Sequence, residues 1–251
     1  LDSYATVLQV YTAGLVFARI GAMVMLMPGI GETVVPPRIR LSFAVLMAIV
    51  LSPLVSSSIT IVPSSVGAVA GAVIHEVLIG LMIGMVLKLF VSSLTTAGEI
   101  ISIQTTLSFA QTANPAGAPS STAVATFLSM LGLVLIMVTD LHHLFIGAMV
   151  KSYDIFPFSR AVPVNDAATL AVRTVADSFK LGVQLAAPVL VFSIVFNLAT
   201  GLVGRVMPSF QIFFVTSPLS VILGLSLLGL SLGGIAMVWA DRYRDLLAMF
   251  N

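Results

Sequence analysis

The sequence predicts an all-α, polytopic membrane-protein fold of bent helical hairpins. Hydrophobic residues make up 59% of the 251 positions and charged residues only 8%, where a water-soluble domain carries about 25% charged residues. Mean hydropathy is +1.14, so the chain cannot clothe itself in a solvated surface. Apolar runs follow one another, separated by proline and glycine, and the 12 prolines and 19 glycines suit membrane helices that bend and pack closely. Six to eight bent helices are expected, in one integral-membrane domain over residues 1–251 with no room for a separate soluble domain. The absence of cysteine removes disulfides, thiolate zinc sites and thiol catalysis together.

The first helix is expected from about Tyr4 to Met27, without the basic leader and cleavage site of a signal peptide. Arg19 lies well inside it, as either an interfacial arginine that snorkels or an internal or intersubunit contact. Pro28-Gly29-Ile30-Gly31 breaks that helix, and Val35-Pro36-Pro37-Arg38-Ile39-Arg40-Leu41 starts another. Its apolar run from Leu41 to Val55, ended by Pro53, is short, so a partway hairpin is as good a reading as a span.

From Val66 to Val91 the chain is apolar again, with Gly67/Gly71 and Gly80/Gly84 offering flat packing surfaces. His75 and Glu76 interrupt it and call for a buried polar contact or a water-exposed place in an assembly. The stretch Ala97 to Gln111 then differs from its neighbours. At helical period Ile100, Ile103, Leu107 and Ala110 fall on one side, with Glu99, Ser102, Thr106 and Gln104 or Thr105 on the other. One face should therefore meet something other than lipid. The Asn114-Pro115 and Ala118-Pro119 pairs are expected to end this helix in a short loop.

Val124 to Val138 is apolar and charge-free, and Asp140, His142 and His143 follow. Hydrogen bonding at a helix end, proton handling and metal binding are the three readings; adjacent histidines on one helix face apart and supply no defined ligand set, so no metal site is assigned. Tyr153, Phe156 and Phe158, in the loop Lys151 to Arg160, suit an interfacial aromatic belt. Residues Asp166 to Ala199 form a helix with Pro188 as a kink point, Gly201 to Ser209 a turn, and Phe210 to Trp239 a last apolar pass interrupted by Pro218. Asp241 to Phe250 reads as an amphipathic tail on a membrane or a partner.

No phosphate loop, zinc-protease motif, nucleophile elbow or carboxylate pair is present, so the chain is not expected to be an enzyme or to hold a cofactor. The eleven basic residues form no stripe, which excludes nucleic acid as a partner. A transporter, an export component and a structural subunit remain.

The motifs narrow that choice. They run in order as Phe17-Ala18-Arg19-Ile20, Pro28-Gly29-Ile30-Gly31-Glu32, Val35 to Leu41, Leu78-Ile79-Gly80, Thr96-Ala97-Gly98-Glu99, Leu107-Ser108-Phe109-Ala110 with Asn114-Pro115, and Asn197-Leu198-Ala199 with Gly201-Leu202, Met207-Pro208, Phe214 and Pro218. This ordered set resembles the R subunit of the bacterial flagellar type III export gate, a family that includes the matching subunit of virulence injectisomes. The resemblance covers nearly the whole chain and implies a protein that works by assembly.

It implies one copy among five P-type and four Q-type subunits, in a helical stack that seeds the rod within the basal body of the inner membrane. Residues 1–165 would be similar in fold to a P subunit and residues 166–251 to a Q subunit. The B-type switch subunit, the A-type export subunit, rod proteins, unfolded export substrates and membrane lipid are the further implied partners. The rival readings are an injectisome gate subunit and a secondary transporter with broken helices.

The resemblance also implies that Leu107 to Ser121 plugs the export channel. The candidate plug residues are Leu107, Ser108, Phe109, Gln111, Asn114, Pro115, Gly117 and Pro119, with Phe109 as the bulky constriction. Arg19, His75, Glu76, Glu99, Asp140, His142 and His143 are the candidate buried polar or intersubunit contacts.

Overall fold

A computed structural model of the chain describes residues 7–32, 34–55, 59, 62–108, 121–158, 164–207 and 211–248. Among them are seven α-helices and no strand: α1 (Val7–Leu26), α2 (Pro37–Val55), α3 (Val66–Gln104), α4 (Ala123–Val138), α5 (Leu141–Ile155), α6 (Val164–Val206) and α7 (Ile212–Ala248). Five helices are long and apolar enough to cross a membrane: α1, α2, α3, and the parts of α6 and α7 over Ala168–Val206 and Phe214–Ala248. Helices α4 and α5 pass that test only as a pair, bent by 76° at their break. The bent pair at 123–155 has the form of a broken span or a re-entrant loop, and α2 has the length of a simple crossing.

The chain divides into two compact units, each drawing on both sides of residue 165: residues 1–90, 140–175 and 244–251, and residues 91–139 and 176–243. In the first unit α1 buries Thr12, Leu15, Val16, Arg19, Ile20, Met23 and Val24, a stripe at helical spacing, and packs on α2. After Leu26 the chain turns at Pro28, where the Gly31 amide donates to the Met27 carbonyl at 2.7 Å. Helix α3 crosses α1 at Gly80. A side chain there would strike the Arg19 carbonyl and come within 2.8 Å of the Ala22 methyl, so glycine sets how close the two backbones lie. Gly67 and Gly71, equally suggestive in sequence, face open space.

In the second unit the core is built from Leu94, Ala97 and Ile101 of α3, Ala125 and Leu128 of α4, Leu185, Ala186 and Val189 of α6, and Leu228, Ile235 and Trp239 of α7. Gly98 lies directly against the α4 backbone at Val124 and Ala125. The Trp239 indole nitrogen donates to Ser93 Oγ at 3.2 Å, and its ring stacks on Tyr243 at 5.2 Å between centroids.

Four expectations are corrected. The apolar run from Val66 and the polar stretch from Ala97 form a single 39-residue helix, because the polar side chains of its last turns find protein partners and give no reason for a break. That helix ends at Gln104 rather than at the prolines near 115 and 119; Thr106 follows with a left-handed φ of 62°, a conformation in which a β-branched residue cannot continue a helix. Pro53 lies inside α2 and Pro218 inside α7, so neither ends nor interrupts its helix, while Pro188 lies within α6 as its sequence position indicates. The terminal segment is the end of α7, with Tyr243, Leu246 and Leu247 buried in the chain itself.

Candidate functional site

Among the described residues, two polar constellations stand inside this apolar chain, one in each unit. In the first, Arg19 occupies the middle of the buried stripe of α1 and is fully buried. Its Nε donates to Glu76 Oε2 at 2.6 Å, one terminal nitrogen donates to the Ser152 carbonyl at 2.9 Å, and the other to the Phe156 carbonyl at 2.8 Å. The Tyr153 and Phe158 rings flank the guanidinium carbon at 4.2 and 5.4 Å. Glu76 is 1% exposed, and its second oxygen stands 3.2 Å from His75 Nδ1.

The logic is charge neutralisation. A guanidinium without water needs a carboxylate and further acceptors, and the carbonyls at the C-terminal end of α5, where the helix dipole is negative, supply them. This arrangement ties α1, α3 and α5 together, and Arg19 does not snorkel to an interface. Tyr153 and Phe158, read from sequence as a membrane belt, instead cover the Arg19 charge.

The second constellation is the last two turns of α3. Glu99 Oε1 accepts from the Thr122 amide at 2.9 Å, and Ser102 Oγ donates to Thr122 Oγ1 at 2.9 Å. Thr122 also caps α4 by accepting from the Ala125 amide. Ser193 Oγ of α6 donates to Gln104 Oε1 at 2.6 Å. Ser220 of α7 donates to the Thr105 carbonyl at 3.4 Å, and the Thr106 hydroxyl lies within 3.4 Å of both Ser217 and Ser220. Three helices are thus joined to the end of α3, α4 through the Glu99 carboxylate and the Ser102 hydroxyl, α6 and α7 through uncharged hydroxyl, side-chain amide and carbonyl groups.

Ser102 and Thr105 are buried while Ile103 is 62% exposed. The polar face of the stretch turns inward and the apolar face outward, as expected where lipid or an apolar partner replaces water. This seam leads into Leu107 and Ser108. Beside them Leu107, Ala123, Val124, Phe127, Leu225 and Leu228 line an apolar cleft of about 360 Å³. Of the other candidate plug residues, Phe109, Gln111, Asn114, Pro115, Gly117 and Pro119 lie outside the described residues.

Asp140, His142 and His143 come together at the start of α5. Asp140 takes a left-handed conformation, φ 57°, and makes no side-chain cap to the helix. His143 Nδ1 stands 3.6 Å from Asp140 Oδ1, the two imidazole rings are 4.1 Å apart, and potential ligand atoms of all three residues lie within 4.8 Å of one another. The expectation that adjacent histidines diverge is corrected: the turn at Asp140 folds the carboxylate back over the first helical turn.

Neither constellation contains a nucleophile with its base, or an open position for a substrate. The Arg19 donors are engaged and the α3 seam is a set of interhelical ties.

The profile of the family described as "Bacterial export proteins, family 1" matches residues 10–246. The chain belongs to this family. Among curated members of the bacterial export proteins, it is 74% identical to the flagellar biosynthetic protein FliR of Caulobacter vibrioides over the full length of both chains. It is also 30% identical to the protein of that name from Escherichia coli, covering 84% of this chain and 80% of the relative. With Aquifex aeolicus FliR the identity is 29%, over 94% and 90% of the two chains. As a member of the bacterial export proteins the chain is a non-catalytic, polytopic subunit of the membrane, which accords with two constellations that hold helices together.

Proposed function

We propose that this chain is a structural and gating subunit of the flagellar type III protein export gate, in the bacterial inner membrane within the basal body. One observation carries the assembly part of that reading. Each of α6 and α7 holds an 18-residue stretch with a mean hydropathy of 2.0 or 2.3, only 17% of that stretch is buried inside the chain, and the two segments run for 39 and 35 residues in all. At about 1.5 Å per residue such helices are roughly 50–60 Å long, against a hydrocarbon layer of about 30 Å. Along α6, exposed apolar side chains recur from Val172 to Val206, a stretch longer than that layer is thick. Apolar helices of other subunits supply the missing cover.

P-type and Q-type subunits, five and four in number, fit that requirement, with residues 1–165 in the place of a further P-like element and residues 166–251 in that of a Q-like one. The B-type and A-type subunits, rod proteins and unfolded substrates complete the set of partners. Flagellar names on the relatives, down to the 30% and 29% matches, favour the flagellar system over an injectisome.

Within the gate, Leu107 to Ser121 closes the channel. The support is positional: hydrogen bonds that join Glu99 and Ser102 to Thr122 anchor the end of α3 to the start of α4, on either side of this segment. Phe109 supplies bulk, and Ala113, Ala116, Gly117 and Ala118 let the loop withdraw.

Deleting Ala113 to Pro119 in the assembled gate tests this. The deletion complex should assemble at parental yield and leak ions or small solutes in vesicles. A deletion complex that assembles and stays as tight as the parent overturns the plug and leaves the loop as scaffold. Failure of the full chain to co-purify with P-type and Q-type subunits overturns the assembly reading separately.

A further inference from the structure

The cluster at the start of α5 is used neither by the helix ties nor by the plug. Two of the chain's three histidines are in it, and Asp140 is placed where an aspartate ordinarily accepts from the first-turn amides of a helix. It makes no such cap. Its carboxylate is instead turned to His143, 3.6 Å away, and the ring of His142 lies beside that of His143. The side chains of Asp140 and His143 are 76% and 69% exposed, so no packing within this chain closes them off from an ion.

We propose that Asp140, His142 and His143 form a binding site for a divalent transition metal of the zinc class. Two imidazole nitrogens and one carboxylate oxygen are the donor set that such ions prefer over magnesium or calcium, which require mostly oxygen. Around tetrahedral zinc, with bonds of about 2.0–2.2 Å, neighbouring donors stand roughly 3.3–3.5 Å apart. The Asp140–His143 pair is already close to that separation. The remaining donors lie within 4.8 Å, a gap that side-chain rotation of about an ångström closes, and water fills the fourth position.

Bound there, the ion would hold Asp140 in its left-handed conformation and fix the first turn of α5 at the break that follows α4. The site is local to residues 140–143, so it does not depend on the gating reading and would exist in any assembly of this chain.

Zinc content decides the matter. The full chain is purified in detergent with its co-expressed subunits, on an affinity tag free of histidine, equilibrated with zinc chloride and desalted. Elemental analysis should find about one more zinc per copy of this chain in the parent than in His142→Gln/His143→Gln. Asp140→Asn should weaken binding by tenfold or more in a zinc titration. Cobalt added to the parent should give a visible absorption band that the double variant lacks. Equal zinc in parent and double variant, whether substantial or none, overturns the site, provided both elute identically on size exclusion. Should the double variant fail to assemble, Asp140→Asn carries the same test alone, and unchanged affinity in it removes the carboxylate from the site.

Discussion

Replacing Glu76 with leucine leaves the Arg19 guanidinium fully buried with its Nε unsatisfied, because that nitrogen donates to Glu76 Oε2 at 2.6 Å and no solvent reaches it. Breaking a buried pair by removing one partner costs about 3–5 kcal/mol, mainly because the surviving charge is left without compensation. For a chain of this size each kcal/mol moves the melting temperature by about 2–4 °C. Glu76→Leu and Arg19→Leu should therefore each lower the midpoint by roughly 6–20 °C.

The double variant should be far less damaged than the sum of the two. With both charges gone an apolar contact takes their place, and what remains is the loss of a donor to the Ser152 and Phe156 carbonyls, about 1–3 kcal/mol for a buried acceptor left unmatched. The cycle should show a coupling of about 2 kcal/mol or more between the two residues. Thermal melting of the detergent-solubilised assembly, followed by fluorescence-detected size exclusion, measures all four corners, and flagellar motility reports the same order in cells. Single variants within about 1 kcal/mol of the parent would refute the reasoning, as would strictly additive losses.

Two further outcomes follow from packing. Gly98→Ala forces a methyl into the α4 backbone at Val124 and Ala125 and should destabilise by about 1–3 kcal/mol as overpacking does. Gly71→Ala, in a helix interior with nothing within 4 Å, should instead be neutral or stabilise by up to about 1 kcal/mol; a thermal melt of the two variants side by side compares them, and equal effects would sink the distinction. Trp239 is the single tryptophan and is fully buried. Its fluorescence in the folded chain should resist acrylamide quenching, and Trp239→Phe should cost about 0.5–1.5 kcal/mol through the Ser93 hydrogen bond alone.

Much of the helical layout was legible because apolar runs and prolines mark it: Pro28 and the Pro36-Pro37 pair bound α1 and α2 as read. Arg19 and Glu76 were legible as misfits in greasy surroundings, but their pairing was not. They lie 57 residues apart, and the other acceptors of Arg19 are backbone carbonyls, which carry no signature in a sequence. The seam at the end of α3 was seen as polar and misread as a separate element. Composition distinguishes a two-faced helix from a greasy one without saying which face is inside, and here Ser102 and Thr105 are the buried ones. Gly80 and Gly71 sit in the same motif pattern with opposite surroundings, since a small residue permits a close approach without requiring one. The grouping at Asp140 depended on a single left-handed residue that no periodicity foretells.

The distances along the chain between Arg19 and its partners also set an order of events during synthesis. Arg19 leaves the ribosome 57 residues before Glu76 and 133 before Ser152. At about 5–20 residues per second it waits roughly 3–11 seconds for its counter-ion and roughly 7–27 seconds for its first carbonyl. Until Glu76 is made, α1 carries an uncompensated cation, worth about 2.5–3.5 kcal/mol against stable insertion at a helix centre. The first helix of the chain is therefore a hesitant one, held at the bilayer edge or by the insertion machinery until α3 arrives, and its commitment to the membrane is made by a residue translated long after it.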